Sequence, residues 1–139
     1  MRVIIAGDRT VTDLSIIDKA VKQSGFEIDT VISGHAKGVD QLGEKWATSN
    51  GINVKEYAAK WNDLNVPGAI PKKNQWGKTY NATAGLARNE EMAKNADALI
   101  AIQPHGPTSG TQHMIKMAKK HKLKIHIYEK PDEDYEYQF

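Results

Sequence analysis

The residues of this chain best suited to holding an anion fall in three glycine-containing segments: Gly7-Asp8-Arg9-Thr10, Ser33-Gly34-His35-Ala36-Lys37-Gly38-Val39-Asp40 and Ser109-Gly110-Thr111. The octet lies between the apolar run Thr30-Val31-Ile32 and an amphipathic stretch starting near Gln41, so it leaves a strand and opens a helix. Such a turn aims backbone N–H groups and the positive end of a helix dipole at one point. Gly34 and Gly38 permit positive φ and close approach, and Lys37 supplies a cation. The spacing is neither a Walker loop nor the dinucleotide Gly-x-Gly-x-x-Gly. Arg9 offers a planar fork that can donate two hydrogen bonds to one phosphate, against the plainer reading of a salt bridge with Asp8 or Asp13. Ser109-Gly110-Thr111 offers hydroxyls and N–H groups at a helix start, or is a plain cap. Asp40, in the first turn of its helix, either favours the dipole or accepts from a ribose hydroxyl.

An alternation of strands and helices has to position these segments. Strands are expected at 2–6, 29–33, 52–57, 98–102 and 124–128. Helices are expected from about Leu14 to a stop at Gly25, over 39–49 with Leu42, Trp46 and Ala47 on the apolar face, over 85–95, and from Thr111 to about His121. The order predicts an α/β fold, a Rossmann-like three-layer sandwich around a mostly parallel five-stranded sheet. In such a sheet ligands bind at the carboxyl edge of the strands, which gathers the three segments and the end of the third strand. Residues 61–84 break the rhythm with Pro67, Gly68, Pro71, Gly77, three lysines and two tryptophans. They read as a long surface loop, with room for a short helix, beside the site. Trp61 and Trp76 are either aromatic lids over a base or packing residues.

Composition narrows the function classes. With 139 residues, 40% apolar and 26% charged, one globular domain is expected, covering 1–128. Residues 129–139 read as an acidic tail, with Glu129, Asp132, Glu133, Asp134 and Glu136 against Lys130. The overall net charge of +2 therefore conceals a basic body suited to an anionic ligand. Nucleic acid is disfavoured, because the bases are dispersed and no reading motif accompanies them. There are no cysteines, which rules out disulfides, thiolate metal sites and cysteine nucleophiles. No apolar run approaches a membrane span and Met1-Arg2-Val3-Ile4-Ile5 reads straight into a strand, so a cytoplasmic location and no membrane partner are expected. His35, His105 and His113 are not at ligand spacing, and neither a metal nor a cofactor is expected.

The ordered set Gly7-Asp8-Arg9, the octet, Trp61, Ala84-Gly85-Leu86-Ala87-Arg88-Asn89-Glu90-Glu91-Met92-Ala93, Asp97-Ala98-Leu99-Ile100-Ala101 and Ser109-Gly110-Thr111 resembles the SLOG superfamily. The likeness is to its small single-domain YspA-type branch, which is related to the "lonely guy" phosphoribohydrolases, and it runs from about Met1 to Tyr128. It implies a nucleotide pocket made by Gly7, Asp8, Arg9, Ser33, Gly34, His35, Lys37, Gly38, Asp40, Trp61, Ser109, Gly110 and Thr111. It also adds Arg88 and Asn89, which spacing alone leaves on a helix surface. The chain departs from the hydrolases: Met114 stands where they carry a catalytic glutamate, His35 where relatives tend to carry glycine and Asp8 where they tend to carry serine. Two functions follow. One is a binding protein that senses or sequesters a nucleotide-derived molecule of the ADP-ribose or cyclic-nucleotide type. The other is an N-glycosidase acting on nucleoside monophosphates, in which Asp40 or Glu44 would replace the missing carboxylate. The resemblance further implies a homo-oligomer.

Overall fold

A computed structural model describes residues 1–129; the rest of the acidic segment, 130–139, lies outside the described residues. The elements are β1 (Arg2–Gly7), α1 (Leu14–Ser24), β2 (Thr30–Ser33), α2 (Val39–Ser49), β3 (Asn53–Glu56), β4 (Pro71–Lys73), β5 (Thr79–Asn81), α3 (Ala84–Lys94), β6 (Ala98–Ile102), α4 (Ser109–Lys120) and β7 (Lys124–Tyr128). The main sheet has the order β3-β2-β1-β6-β7, and every pairing in it is parallel. Parallel neighbours need crossovers, so helices cover both faces. On one side Ile17, Ala20, Val39, Trp46 and Ala47 pack on Val3, Ile5 and Ile100. On the other, Met92, Ala93, Met114, Ile115 and Ala118 pack on Ile4, Ala6, Leu99 and Ala101.

Local chemistry explains the element ends. The Asp13 carboxylate accepts from the Ser15 N–H to start α1, and Gly25 stops it in the left-handed region, at φ 69°. The interior strand β6 is buried along all five residues, Ala98 to Ile102, as a strand covered on both faces must be.

Residues 61–84 differ from the loop expected of them. They contain an antiparallel hairpin, Pro71–Lys73 against Thr79–Asn81, and no helix among these residues before Ala84. Asn74 closes its turn: its side-chain oxygen accepts from the Trp76 and Lys78 N–H groups at 2.9 and 3.0 Å. At the base, buried Asn81 accepts from Ile70 and Thr83, and its N–H donates to the Trp61 carbonyl. The hairpin is therefore tied at its base to Trp61, Ile70 and the residue before α3 by side-chain and backbone polar groups, which leave no hydrophobic period in the sequence.

Candidate functional site

Strand order reverses between β1 and β6, because the chain winds outward through β2 and β3 on one side and to β7 on the other. The loops leaving a parallel sheet diverge at such a point and open a crevice. A cleft of about 930 Å³ lies there. Of the residues singled out in the sequence, Gly7, Asp8, Arg9, Gly34, His35, Lys37, Asp40, Trp61, Arg88, Asn89, Ser109, Gly110 and Thr111 line it. Ser33, Gly38 and Glu44 are not among its lining residues.

Gly38 acts on the backbone. It adopts φ 80°, and a Cβ there would stand 2.5 Å from the Asp8 carbonyl oxygen and 2.6 Å from Arg9 Cα. This contact lets the Val39 N–H donate to the Asp8 carbonyl at 3.2 Å, locking the β1 loop onto the start of α2. The Asp8 carboxylate in turn accepts from the N–H and hydroxyl of Thr10, at 2.8 and 2.7 Å. Those two bonds, the backbone one first, hold Asp8 below the ordinary carboxylate range. Asp8 therefore shapes the loop, and among the described residues Arg9 has neither Asp8 nor Asp13 as an ion-pair partner.

The octet is more self-satisfied than its glycines imply. The His35 N–H donates to Ser33 Oγ at 3.0 Å and the Ala36 N–H to Asp40 Oδ2 at 3.3 Å; with Val39 bonded to Asp8, three of its donors are engaged. At the start of α4 the balance is the reverse. The N–H groups of Ser109, Gly110 and Thr111 have no acceptor among the described residues, Gly110 faces open space, and all three residues line the cleft. A helix start with unclaimed N–H groups is the better anion donor.

Between these walls sit an acid and a base. Asp40 is 7% exposed, and burial, partly offset by the Ala36 N–H and the Arg88 charge, raises its carboxyl from 3.8 to about 6. Arg88 reaches across from α3 and donates from an Nη to the Gly34 carbonyl at 3.0 Å, while its Nε is buried with no hydrogen-bond partner. Both groups crowd Gly34: a Cβ there would lie 3.0 Å from Asp40 Oδ2 and 3.1 Å from Arg88 Cζ. Asn89, one residue on, is buried with its side-chain nitrogen 3.0 Å from His113 Nδ1. Burial, and then the charge of neighbouring Lys116, lower the His113 pKa from its ordinary value, which favours the uncharged ring. Trp61 meets Tyr80 edge-on at 6.4 Å and rests over Gly85, where a Cβ would approach its ring to 3.3 Å. It remains 46% exposed and presents an aromatic surface to the cleft. Met114, buried and apolar, also lines it.

Ser33 and Glu44 belong to a second group beside the octet. Ser33 Oγ donates to Glu44 Oε2 at 2.6 Å, and His35 Nδ1 lies 2.8 Å from the same oxygen and 3.7 Å from Glu56 Oε1. Sequence reading missed Glu56 and this grouping, which joins β3, α2 and the turn after β2. Among the described residues His35, His105 and His113 do not form one cluster: His35 meets Glu44 and His113 meets Asn89.

Residues 1–63 match the YspA, cpYpsA-related SLOG family. The chain is similar to the Gene 61 protein of Mycobacterium phage D29, with 29% identity over 129 residues, covering 86% of this chain and 89% of the relative. Its fold is similar to that of DNA processing protein A (DprA) from Streptococcus pneumoniae, with a TM-score of 0.66 and 19% identity over 91% of this chain. The chain spans about half of that protein, 49% of its length. The match over residues 1–63 supports the SLOG superfamily, and the likeness to DprA is one of fold. Among the described residues no helix is long and apolar enough to cross a membrane.

Proposed function

We propose that this SLOG-type Rossmann-like domain binds a nucleotide or nucleotide-derived molecule, of the ADP-ribose or cyclic-nucleotide type, in the cleft at the carboxyl edge of its sheet, as a sensor or sequestering protein. The observation that carries the proposal is the pairing of the unclaimed N–H groups at the start of α4 with Arg9 and Arg88 around one cleft. A phosphate seated there would gain the helix dipole and charge-assisted hydrogen bonds. The buried, unpartnered Nε of Arg88 supports this, since such a donor is costly unless something accepts from it. Trp61 offers its ring to a base, and Asp40 can accept from a ribose hydroxyl. Assembly into a homo-oligomer and residence in the cytoplasm belong to the same proposal; light scattering tests the first.

Thermal-shift and calorimetric titrations with ADP-ribose, nucleoside monophosphates and cyclic nucleotides test binding. At least one should stabilise the folded protein, and a wholly flat panel sinks the reading.

One observation favours cleavage as a second reading. Asp40, raised to about 6 and set on the cleft wall, has the properties of a proton donor or of a carboxylate facing a developing oxocarbenium ion. In such a reaction water would add to the sugar carbon as the bond to the base breaks, and the base would leave with a proton. Free base released from a nucleoside monophosphate, and lost in Asp40→Asn, would establish it. Buried Met114 supplies no acid or base in the glutamate's place.

A further inference from the structure

The geometry points to a divalent metal site formed by His35, Glu44 and Glu56, taking a first-row cation of the Mn²⁺ or Zn²⁺ kind. The three side chains come from the turn after β2, the second turn of α2 and the end of β3. One ligand atom from each can be chosen so that all lie within 4.8 Å of one another. Tetrahedral ligation at about 2.0–2.2 Å sets donor atoms roughly 3.3–3.6 Å apart. The observed separations from His35 Nδ1, 2.8 Å to Glu44 and 3.7 Å to Glu56, bracket that spacing.

Charge supports the assignment. Two carboxylates meet a single imidazole, and the ion pairs of the described residues give Glu44 and Glu56 no cationic partner besides His35. A protonated ring leaves one negative charge uncompensated, whereas a divalent cation on the neutral ring removes it. A mixed imidazole and carboxylate donor set suits Zn²⁺ or Mn²⁺ better than the all-oxygen coordination that Ca²⁺ and Mg²⁺ favour. The Ser33 hydroxyl, bonded to Glu44 Oε2 at 2.6 Å, is a second-layer hydrogen bond of the type that orients metal-bound carboxylates. Strand register fixes the rest: Ser33 is directly paired with Glu56, and the Tyr57 N–H donates to the Ser33 carbonyl at 2.8 Å. Glu44 is largely covered, at 15% side-chain exposure, while His35 and Glu56 are open to solvent, so a cation could enter without unfolding the domain.

The site uses residues other than the arginines and the α4 start invoked for nucleotide binding, so it can be tested with the metal alone. Untagged protein, stripped with chelator and desalted, is titrated with Zn²⁺ and with Mn²⁺ by calorimetry, and Co²⁺ substitution is followed by its visible absorption. One equivalent should bind, with Zn²⁺ tighter than Mn²⁺ as the Irving–Williams order requires. His35→Gly and Glu56→Gln alter exposed side chains, and the glycine suits the φ of 57° at that position, so both should fold. Each should weaken Zn²⁺ binding at least tenfold and bleach the Co²⁺ band. Absence of one-equivalent binding in the parent, or binding unchanged in both folded variants, overturns the proposal.

Discussion

Replacing Asp40 with asparagine should stabilise this protein, by an amount that grows with pH. Asp40 is 7% exposed, and burial lifts its carboxyl from 3.8 to about 6. A carboxyl raised on folding keeps its proton in the native state at pH values where the unfolded chain has lost it. Stability therefore falls as pH rises from about 4 to about 6, and the loss is complete above that window. A shift of roughly two units corresponds to about 3 kcal/mol at 1.36 kcal/mol per unit. Asparagine is nearly isosteric and keeps an oxygen for the Ala36 N–H, but it cannot ionise. The difference between the two proteins should thus rise from about 0.5 kcal/mol at pH 4 to about 3 kcal/mol at pH 8. For a chain of this size that is a rise in Tm of about 10 °C at pH 8. Urea unfolding of both proteins at pH 4, 5, 6, 7 and 8 measures it, and the subtraction cancels carboxyls that titrate equally in both. A difference that is flat with pH, or a variant less stable at pH 8, would refute the reasoning. A flat difference would mean that the Ala36 N–H and the Arg88 charge cancel the effect of burial on Asp40, and a less stable variant that they outweigh it.

Gly38→Ala should destabilise by about 2–4 kcal/mol in urea unfolding, since it combines a φ of 80° with a Cβ 2.5 Å from the Asp8 carbonyl oxygen. Thr10→Val removes the hydroxyl that donates to Asp8 at 2.7 Å, at a cost of about 1 kcal/mol near neutral pH. Asp8 is held below its ordinary range, so its contribution is present above about pH 4 and is lost as pH falls; the valine difference should shrink in acid and would count against this account if it did not. Arg88→Ala should weaken whichever nucleotide gives the strongest thermal shift by about 1.5–3 kcal/mol, or roughly tenfold to 150-fold by calorimetry. A parent-like affinity in that variant would remove Arg88 from the ligand's surroundings.

Much of the scaffold was legible because its signals are local. Asp13 and Gly25 mark the ends of α1 within a few residues, and the apolar run Ala98 to Ile102 announces a strand covered on both faces. The hairpin was not legible. Its strands are three residues each, β4 is wholly exposed, and its anchor is one buried asparagine, Asn81, serving partners on both sides. Glycine and charge patterns marked the octet, but the fate of its amides depends on which neighbours arrive. Ser33, expected in the pocket, turns toward Glu44, and Gly38 serves the contact between β1 and α2.

The sequence by itself determined the alternation of strands and helices, the identity of the glycine loops and the presence of Arg9 at the end of the first strand. These follow from backbone conformational preference and periodic burial, which act over a few residues. Only the tertiary structure decided what those loops do to one another. The parallel register sets Glu56 beside Ser33, the crossing of α3 brings Arg88 against Gly34, and the closure around Asp40 raises its proton affinity. Each is a contact between residues far apart in the chain, created by packing a common sheet edge, and burial there turns ordinary polar side chains into groups with chemistry of their own.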